Sequence, residues 1–413
     1  MKLALIIDDY LPYSTRVGAK MMHDLAREFV HQGHQVTIIT PHFDRDKPLF
    51  VQDHFDGVTV WRFYSGTIKG VGKVTRAINE SLLSQRAWRS IAGQVEQDTF
   101  DGVVYYSPSI FFGSLVEKLK KRCKCPSYLV LRDFFPQWAV DSGLIRAGSL
   151  IERYFRFFES KSYRSADMIG VMSQRNLDIF NQNTEQRFPA TILRNWASLE
   201  PHQVTADAIN IREQLGIKNK VIYFYGGNIG HAQDMANLMR LVKRMQQYDC
   251  AHFLFVGQGD EVDLIQSLAR KWELNNFSYL PSVNQDEFKN ILAQVDVGLF
   301  SLSAQHSAHN FPGKLLGYMV QSLPILGSVN QGNDLMDLVN ESAAGLISVN
   351  GNDDLFLSNA IKLQANAELR RQIGIAGYRL LKDEFAVTSI ASTITSSLES
   401  VCESSRQALF KRS

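Results

Sequence analysis

Apolar residues recur along this chain in two alternating registers. Short, nearly uninterrupted apolar runs alternate with longer stretches in which apolar residues return every three or four positions. The first kind reads as strands buried on both faces, the second as amphipathic helices. Leu3–Ile7 predicts a strand that ends in Asp8-Asp9. The loop from Tyr10 to Gly18 opens a helix with Met21, Met22, Leu25, Phe29 and Val30 on one stripe. Gly33 stops it, and Gln35–Thr40 predicts the next strand. Strand, helix and strand in that order make a βαβ unit and imply a parallel sheet. The pattern continues with strands at Val58–Phe63, Val103–Tyr106, Tyr128–Leu131 and Met168–Val171. A helix is expected over 71–95, with Val74, Ile78, Leu82 and Leu83 on one face. Others are expected at Ile110–Lys121, Leu150–Tyr163 and Gln174–Phe180.

Periodicity fades between Glu200 and Ile211, where polar residues gather, and a domain linker is expected there. A second series starts at Val221, with strands at His252–Val256, Phe277–Leu280, Val297–Phe300, Pro324–Gly327 and Gly345–Val349. Ile390, Ile394, Leu398 and Val401 then place a last helix that must pack on something. The fold class is α/β, two doubly wound Rossmann-like domains with a cleft between them. The expected division is 1–203, 204–386 and a closing helix over 387–413. In such sheets ligands bind at the carboxyl ends of the strands.

Four stretches at strand ends could carry chemistry. Val221–Tyr225 runs into Gly226-Gly227-Asn228-Ile229-Gly230-His231 and then a helix. The glycines allow a sharp turn, and the free N–H groups of a helix start attract phosphate. His231 could add a donor or a charge. A plain strand-to-helix connection fits the same residues. The stretch from His309 to Met319 follows the Val297–Phe300 strand. Asn310 and Pro312 suit a helix start, which would expose the N–H groups of Gly313 and Lys314. Lys314 would be a mobile charge gripping the same phosphate, or simply a solvated helix lysine. In the first half, Arg132-Asp133 close a strand and the aromatics up to Trp138 follow. That suits sugar or lipid recognition, or a helix cap with Trp138 packing the loop. Arg16 and Gly18 face the first strand's carboxyl end, where Arg16 could meet a phosphate or an acceptor hydroxyl, or form a surface salt bridge.

Composition narrows the partners. The net charge of +2 over 413 residues gives no reason to expect nucleic-acid binding. Residues 1–200 hold 26 Lys+Arg against 21 Asp+Glu, a net +5, and the remainder 18 against 21, a net −3. A basic first half is compatible with an anionic membrane surface, as is chance. Lys69 through Trp88, and Lys118–Lys124, mix basic and apolar residues in the way such contact would need. Four cysteines show no metal-ligand spacing, and Cys123 and Cys125 in a basic stretch read as surface thiols. They fit a reducing, cytoplasmic location. No apolar run reaches the length of a membrane span, and the apolar start is too brief for a signal peptide. No metal site is expected. The Phe255-Val-Gly257-Gln-Gly259 run lacks the third glycine of a dinucleotide fingerprint.

Taken together, these pieces resemble glycosyltransferase family 4, enzymes of the GT-B fold. The matching residues are Gly33-His34-Gln-Val-Thr-Ile-Ile-Thr, Arg132-Asp133-Phe-Phe-Pro, Leu193-Arg-Asn195-Trp and Gly227-Asn-Ile-Gly-His-Ala-Gln-Asp234. Phe255-Val-Gly-Gln-Gly, Phe311-Pro-Gly-Lys314-Leu-Leu-Gly-Tyr-Met and Ala344-Gly-Leu-Ile complete the set. Within the family the chain is most similar to bacterial O-antigen and capsule N-acetyl-fucosaminyltransferases, which belong to surface polysaccharide and lipopolysaccharide biosynthesis. The resemblance implies a retaining, hexosyltransferase-type enzyme. It would move an N-acetylated 6-deoxyhexose from a UDP-sugar to a polyprenyl-diphosphate-linked sugar, with no cofactor. The enzyme would be cytoplasmic, with peripheral contact at the inner face of the plasma membrane. An epimerase or hydrolase on the same fold, and a family member that binds UDP-sugar without catalysis, are the competing readings.

The resemblance also assigns roles. Gly227, Asn228 and Gly230 would cradle the donor diphosphate, with His231, Asn310 and Gly313 beside them. Lys314 would neutralise the leaving UDP, and Pro281 and Ser282 would receive the uracil. Arg132 or Asp133 would stand near the reacting sugar, with Arg16 and Gly18 on the acceptor side. The final helix would cross back to brace the first domain. Relatives commonly carry glutamates at the positions of His309 and Gly317, one near the sugar and one on the ribose, and an arginine where His231 stands. Ribose contacts and charge compensation must therefore come from elsewhere; His309 stands with Arg132, Asp133 and Lys314 as a catalytic candidate.

Overall fold

A computed structural model of the protein describes all residues except 15, 69–70, 142, 205–207, 305–311 and 411–413. The chain folds into two compact units, Met1–Trp196 with Val387–Ser413, and Ala197–Ala386. The first unit ends at Trp196, short of the expected break at 203. Trp196 is fully buried in the first core, where its indole N–H donates to the Met21 carbonyl at 2.7 Å. Ala197 instead pairs with Ala386, and the next residues belong to the second unit.

The first unit is built on one sheet. Its strands are β1 (Lys2–Ile6), β2 (Gln35–His42), β3 (Phe50–Phe55), β4 (Val58–Tyr64), β5 (Gly102–Tyr106), β6 (Ser127–Val130), β7 (Met168–Val171) and β8 (Ala190–Ile192). They lie in the order β3-β4-β2-β1-β5-β6-β7-β8, all parallel except the β3–β4 hairpin. Alternate residues of β1 enter different cores. Leu3, Leu5 and Ile7 pack on one face with Met22, Phe29 and Leu398, while Ala4 and Ile6 pack on the other with Leu115 and Phe112. That two-sided burial is why the strand reads as an unbroken apolar run. The last helix, Val387–Phe410, lies on the first of these faces through Ile390, Ile394 and Leu398.

The second unit repeats the plan with β9 (Val221–Asn228), β10 (Ala251–Gln258), β11 (Phe277–Leu280), β12 (Val297–Ser301), β13 (Ile325–Val329) and β14 (Gly345–Val349). All are parallel, in the order β11-β10-β9-β12-β13-β14. Each sheet grows outward in one direction from its first strand and then in the other. The crevices of such reversals fall beside β1 and β5 in one unit and beside β9 and β12 in the other.

Several expectations need correction. The helix expected over 71–95 is two helices, Lys73–Ser81 and Leu83–Ile91, and Ile78 is exposed. Cys123 and Cys125 are buried, not surface thiols. Between them Lys124 takes a left-handed conformation (φ 54°), so the lysine turns out and both thiols turn in. The basic stretch Lys118–Lys124 is largely the end of the helix Gly113–Cys123, with Lys118 and Arg122 stacked on the Trp88 ring. It is the end of a helix whose basic side chains are mostly exposed, rather than a loop. Among the described residues no helix is long and apolar enough to cross a membrane.

Candidate functional site

In the second unit the glycine-rich stretch does not turn where the sequence suggests. β9 runs on through Gly226 and Gly227 to Asn228, paired residue for residue with β10 up to Gln258. Two glycines face each other in that ladder. A Cβ on Gly257 would stand 1.9 Å from the Gly227 carbonyl oxygen, and Gly227 itself holds φ at 115°. The chain then makes a short 3-10 turn, His231–Gln233, before the helix Met235–Met245.

The start of that helix is not a vacant anion site. The Asp234 side chain accepts from the Asn237 N–H, and the Glu261 carboxylate accepts from the Met235 N–H at 3.1 Å. Negative charge from the protein already occupies the positive end of the dipole. Glu261 also accepts from His231 Nδ1 at 2.8 Å, and Asp260 lies 3.3 Å from its Nε2. His231 thus answers two carboxylates, and the role expected for it as an open phosphate donor is not available in this arrangement. What remains open is the 3-10 turn, whose first N–H groups have no acceptor within it. Gly230 is buried at its head, and a Cβ there would meet Asp260 Oδ1 at 2.6 Å. The Asn228 amide donates to Gln233 across the turn.

Across the switch point stands the helix Gly313–Val320, whose first turn carries no side-chain cap. Lys314 is not the solvated, mobile cation one might expect there. Its Nζ lies 3.7 Å from the centroid of the Tyr225 ring and 3.8 Å from the point a Cβ of Gly227 would occupy. Bare glycine backbone makes room for the amine. The residue as a whole is half-buried, but Nζ is shut off from water and has no hydrogen-bond partner among the described residues. Burial alone pulls its pKa down to about 7. An unpartnered amine over an aromatic face is short of one thing, an anion. The structure therefore brings Gly227, Gly313 and Lys314 together. Gly317 stands one turn further along the same helix, with Leu292 as its neighbour. His309 and Asn310 lie outside the described residues.

Pro281 and Ser282 are exposed at the end of β11, and Ser282 donates to Gln258 at 3.1 Å. Pro281 also lines a cavity of about 530 Å³ with Leu280, Val283, Ile209 and Ile211. None of Gly227, Asn228, Gly230 and Lys314 lines that cavity. Ser282 is linked to the glycine strand through Gln258, which pairs with Asn228.

The first unit gathers titratable groups at the carboxyl ends of β1, β5 and β6. Arg132 is buried, and its guanidinium donates to the carbonyls of Leu131, Gly170 and Arg194 while lying over the Trp196 ring. Burial lowers its pKa to about 10. Its two terminal nitrogens are held by backbone carbonyls, while Nε is buried with no hydrogen-bond partner among the described residues. Asp133 differs. Burial raises its carboxyl to about 6, against the pull of a hydrogen bond from Trp138. Arg16 is exposed, 3.5 Å from Asp9, and Ser14 donates to the same carboxylate. Gly18 is held by contact: a Cβ there would stand 2.9 Å from the Tyr106 hydroxyl.

Two groups that the sequence reading passed over sit among these. Asp8, at the end of β1, has its pKa raised by burial, opposed by Arg16. Tyr106, the last residue of β5, has its pKa raised by burial and is close enough to Arg132, Asp8 and Asp133 to feel all three charges. Their signal was present: each ends a strand that flanks the switch point.

Comparison with known proteins bears on both units. Residues 18–193 match the glycosyl transferase 4-like domain, and residues 207–380 match glycosyl transferases group 1. WbjE of Pseudomonas aeruginosa, named a probable glycosyltransferase, is 25% identical over 52% of this chain and 54% of its own length. WcaI of Escherichia coli K12, named for colanic acid biosynthesis glycosyl transfer, is 24% identical over 72% of this chain and 76% of its own. The chain thus spans about half the length of the first relative and three quarters of the second. Among solved structures, sucrose-phosphate synthase from Thermosynechococcus elongatus aligns over 100% of both chains with a TM-score of 0.70 at 15% identity. HepE of Anabaena, in complex with UDP and glucose, aligns over 97% of this chain and 100% of its own, with a TM-score of 0.66 at 14% identity. These likenesses establish the fold as GT-B.

Proposed function

We propose, on the match of residues 18–193 to the glycosyl transferase 4-like domain and of residues 207–380 to glycosyl transferases group 1, that this chain is a retaining glycosyltransferase. Its donor is a UDP-sugar and its acceptor a lipid-diphosphate-linked sugar in the making of a bacterial surface polysaccharide. The observation that carries the reading is Lys314, whose buried amine has no hydrogen-bond partner among the described residues at the strand ends of the second unit. The family matches support the reaction class, and the UDP held by HepE supports the nucleotide. The N-acetylated 6-deoxy sugar is the donor that the resemblance to O-antigen enzymes favours.

In this reading the bond between the anomeric carbon and the diphosphate breaks, and its electron pair leaves with UDP. Lys314 and the open N–H groups of Gly313 and the 3-10 turn receive that charge. Donors fixed before the charge develops cost no reorganisation when it arrives. The acceptor hydroxyl attacks from the face the diphosphate leaves and passes its proton to the departing phosphate oxygen. Asp133, ionised only above about pH 6, sits at the strand end of the first unit and serves acceptor positioning. No metal is invoked.

The test is a thermal-shift panel of UDP-, GDP- and dTDP-sugars, since a ligand that binds only the native state raises its stability with concentration over affinity. A rise with UDP-sugars alone is expected. A response confined to another nucleotide, or none at all, rejects the reading.

The same site predicts a pH dependence. The free amine titrates near 7, and a bound diphosphate holds it charged. Below pH 7 the charge is present before binding. Above it, binding must take up a proton, so affinity for UDP is expected to fall by up to about tenfold per pH unit. Calorimetry between pH 6.5 and 9 in buffers of different ionisation heat measures that uptake. A flat affinity over this range is the contrary result.

A further inference from the structure

Six large apolar side chains, Trp138, Leu144, Leu150, Ile151, Tyr154 and Phe157, are left exposed within residues 138–157. Leu150 is 80% exposed, Leu144 73% and Phe157 59%. Four of the six lie on the helix Leu150–Ser165. The inner side of that helix is already used: Phe155 and Phe158 pack on the core of the first unit, and Ser162 and Tyr163 are buried. The helix is therefore apolar on two sides. A helix that only has to cover a sheet carries a polar outer face.

The charges are sorted as well. Both glutamates of the helix, Glu152 and Glu159, pair with Arg156, and Glu159 is buried. On the outer face Leu150, Arg153, Tyr154, Phe157 and Arg164 follow at helical spacing. Arg164 donates to the Ser160 hydroxyl, and Arg153 and Arg146 enter no ion pair among the described residues. Tyr154 meets Ser81 at its hydroxyl, which brings exposed Ile78 and Arg76 of the neighbouring helix alongside. Asp141, at the end of the short helix before the ridge, is exposed, and Arg76 pairs with Glu80. On the helix itself the carboxylates are turned toward Arg156, and apolar side chains interleaved with Arg153 and Arg164 match the headgroup layer of an anionic bilayer.

We propose that this ridge, the outer face of the helix Leu150–Ser165 with the exposed side chains of Trp138 and Leu144, seats on a membrane surface containing anionic lipid. The proposal rests on the reading that the acceptor is lipid-linked, and it names the surface through which the first unit reaches that acceptor. Pairing of the ridge with a second copy of the chain is disfavoured by its own charges. A two-fold contact would set Arg153 and Arg164 of one copy against those of the other.

The test uses the full chain and sedimentation with two vesicle preparations, phosphatidylcholine alone and phosphatidylcholine mixed with phosphatidylglycerol. Binding to the mixed vesicles is expected, weakened by raising salt from 0.05 to 0.5 M, a range over which screening shortens markedly. Phe157→Ser with Leu150→Ser, and separately Arg153→Gln with Arg164→Gln, should each reduce that binding by tenfold or more, each cation contributing about fivefold. The UDP-induced thermal shift should not change in either variant, which also reports that both fold. Absence of binding to the mixed vesicles at low salt, or undiminished binding by the variants, overturns the docking surface. So does a dimer in sedimentation equilibrium that Phe157→Ser dissolves. Failure of the native chain to bind the mixed vesicles while its UDP shift persists counts against the ridge alone. A UDP shift absent while vesicles still bind counts against glycosyl transfer alone.

Discussion

Lys314→Met is expected to lower turnover with a nucleotide sugar by about a hundredfold or more and, at neutral pH, to raise the unfolding temperature. The two effects share one cause. The amine sits over the Tyr225 ring with burial as the sole influence on its titration and no partner among the described residues. Taking a cation out of water without an answering charge costs free energy, and the empty protein bears that cost. When a diphosphate enters, the same amine supplies charge in a place where water does not compete. Methionine keeps the length and the apolar stem and drops the charge. Replacing a buried ionic group by an apolar one of similar volume commonly stabilises by about 1–4 kcal/mol. The sign with pH is definite. Lys314 binds its proton less readily in the folded chain, about 7 against 10.5. The unfolded chain therefore holds more protons between those values, and native stability gains as pH rises through that window. The methionine variant loses that gain, and with it the fall in UDP affinity above pH 7. Melts at pH 7 and 9, with UDP release under saturating donor and acceptor, measure all three. Unchanged turnover would remove Lys314 from the chemistry. A lower melting temperature would make it a structural residue.

How far the sequence could be read depended on whether a feature was local. β1 and β9 are buried on both faces, so their apolar runs need no partner to be recognised. β3 was missed because Phe50–Phe55 is an edge strand in which the polar run Gln52-Asp53-His54 breaks any apolar pattern, and it pairs antiparallel to β4. The anion-friendly helix start after Gly230 was misjudged for a different reason. The carboxylate that fills it, Glu261, arrives from the end of β10, thirty residues away, and only the strand pairing places it there. Lys314 was legible as a candidate from its place after a helix-start proline. Its burial was not, because Tyr225 and Gly227 come from another strand. Asp8 and Tyr106 become a cluster only because β5 lies beside β1. Cys123 and Cys125 were misplaced by their basic neighbours, whose side chains turn outward while the thiols turn in.

The glycine pair in the β9–β10 ladder carries the other large effect. Gly257→Ala is expected to destabilise the second unit and to weaken UDP binding at least tenfold, without replacing a residue assigned to the nucleotide. Its methyl carbon would stand 1.9 Å from the Gly227 oxygen and 2.9 Å from the Gly227 carbonyl carbon. Both are backbone atoms, so no rotamer change relieves the clash. The strands must part instead, at the step where Gly227 and Gly257 are paired. Overpacking of this kind costs typically about 1–3 kcal/mol and occasionally more; a backbone clash belongs at the upper end. The displacement also moves Gly227, which leaves the space that the Lys314 amine occupies. Stability and affinity should therefore fall together. Gly93→Ala is the control: an added methyl there meets nothing within 4 Å, and a change within about 0.5 kcal/mol is expected. Thermal melts and UDP titration of both variants decide the matter. If Gly257→Ala binds UDP as the native chain does, the diphosphate is not held at this end of β9. The buried amine of Lys314 would then need another anion to explain it.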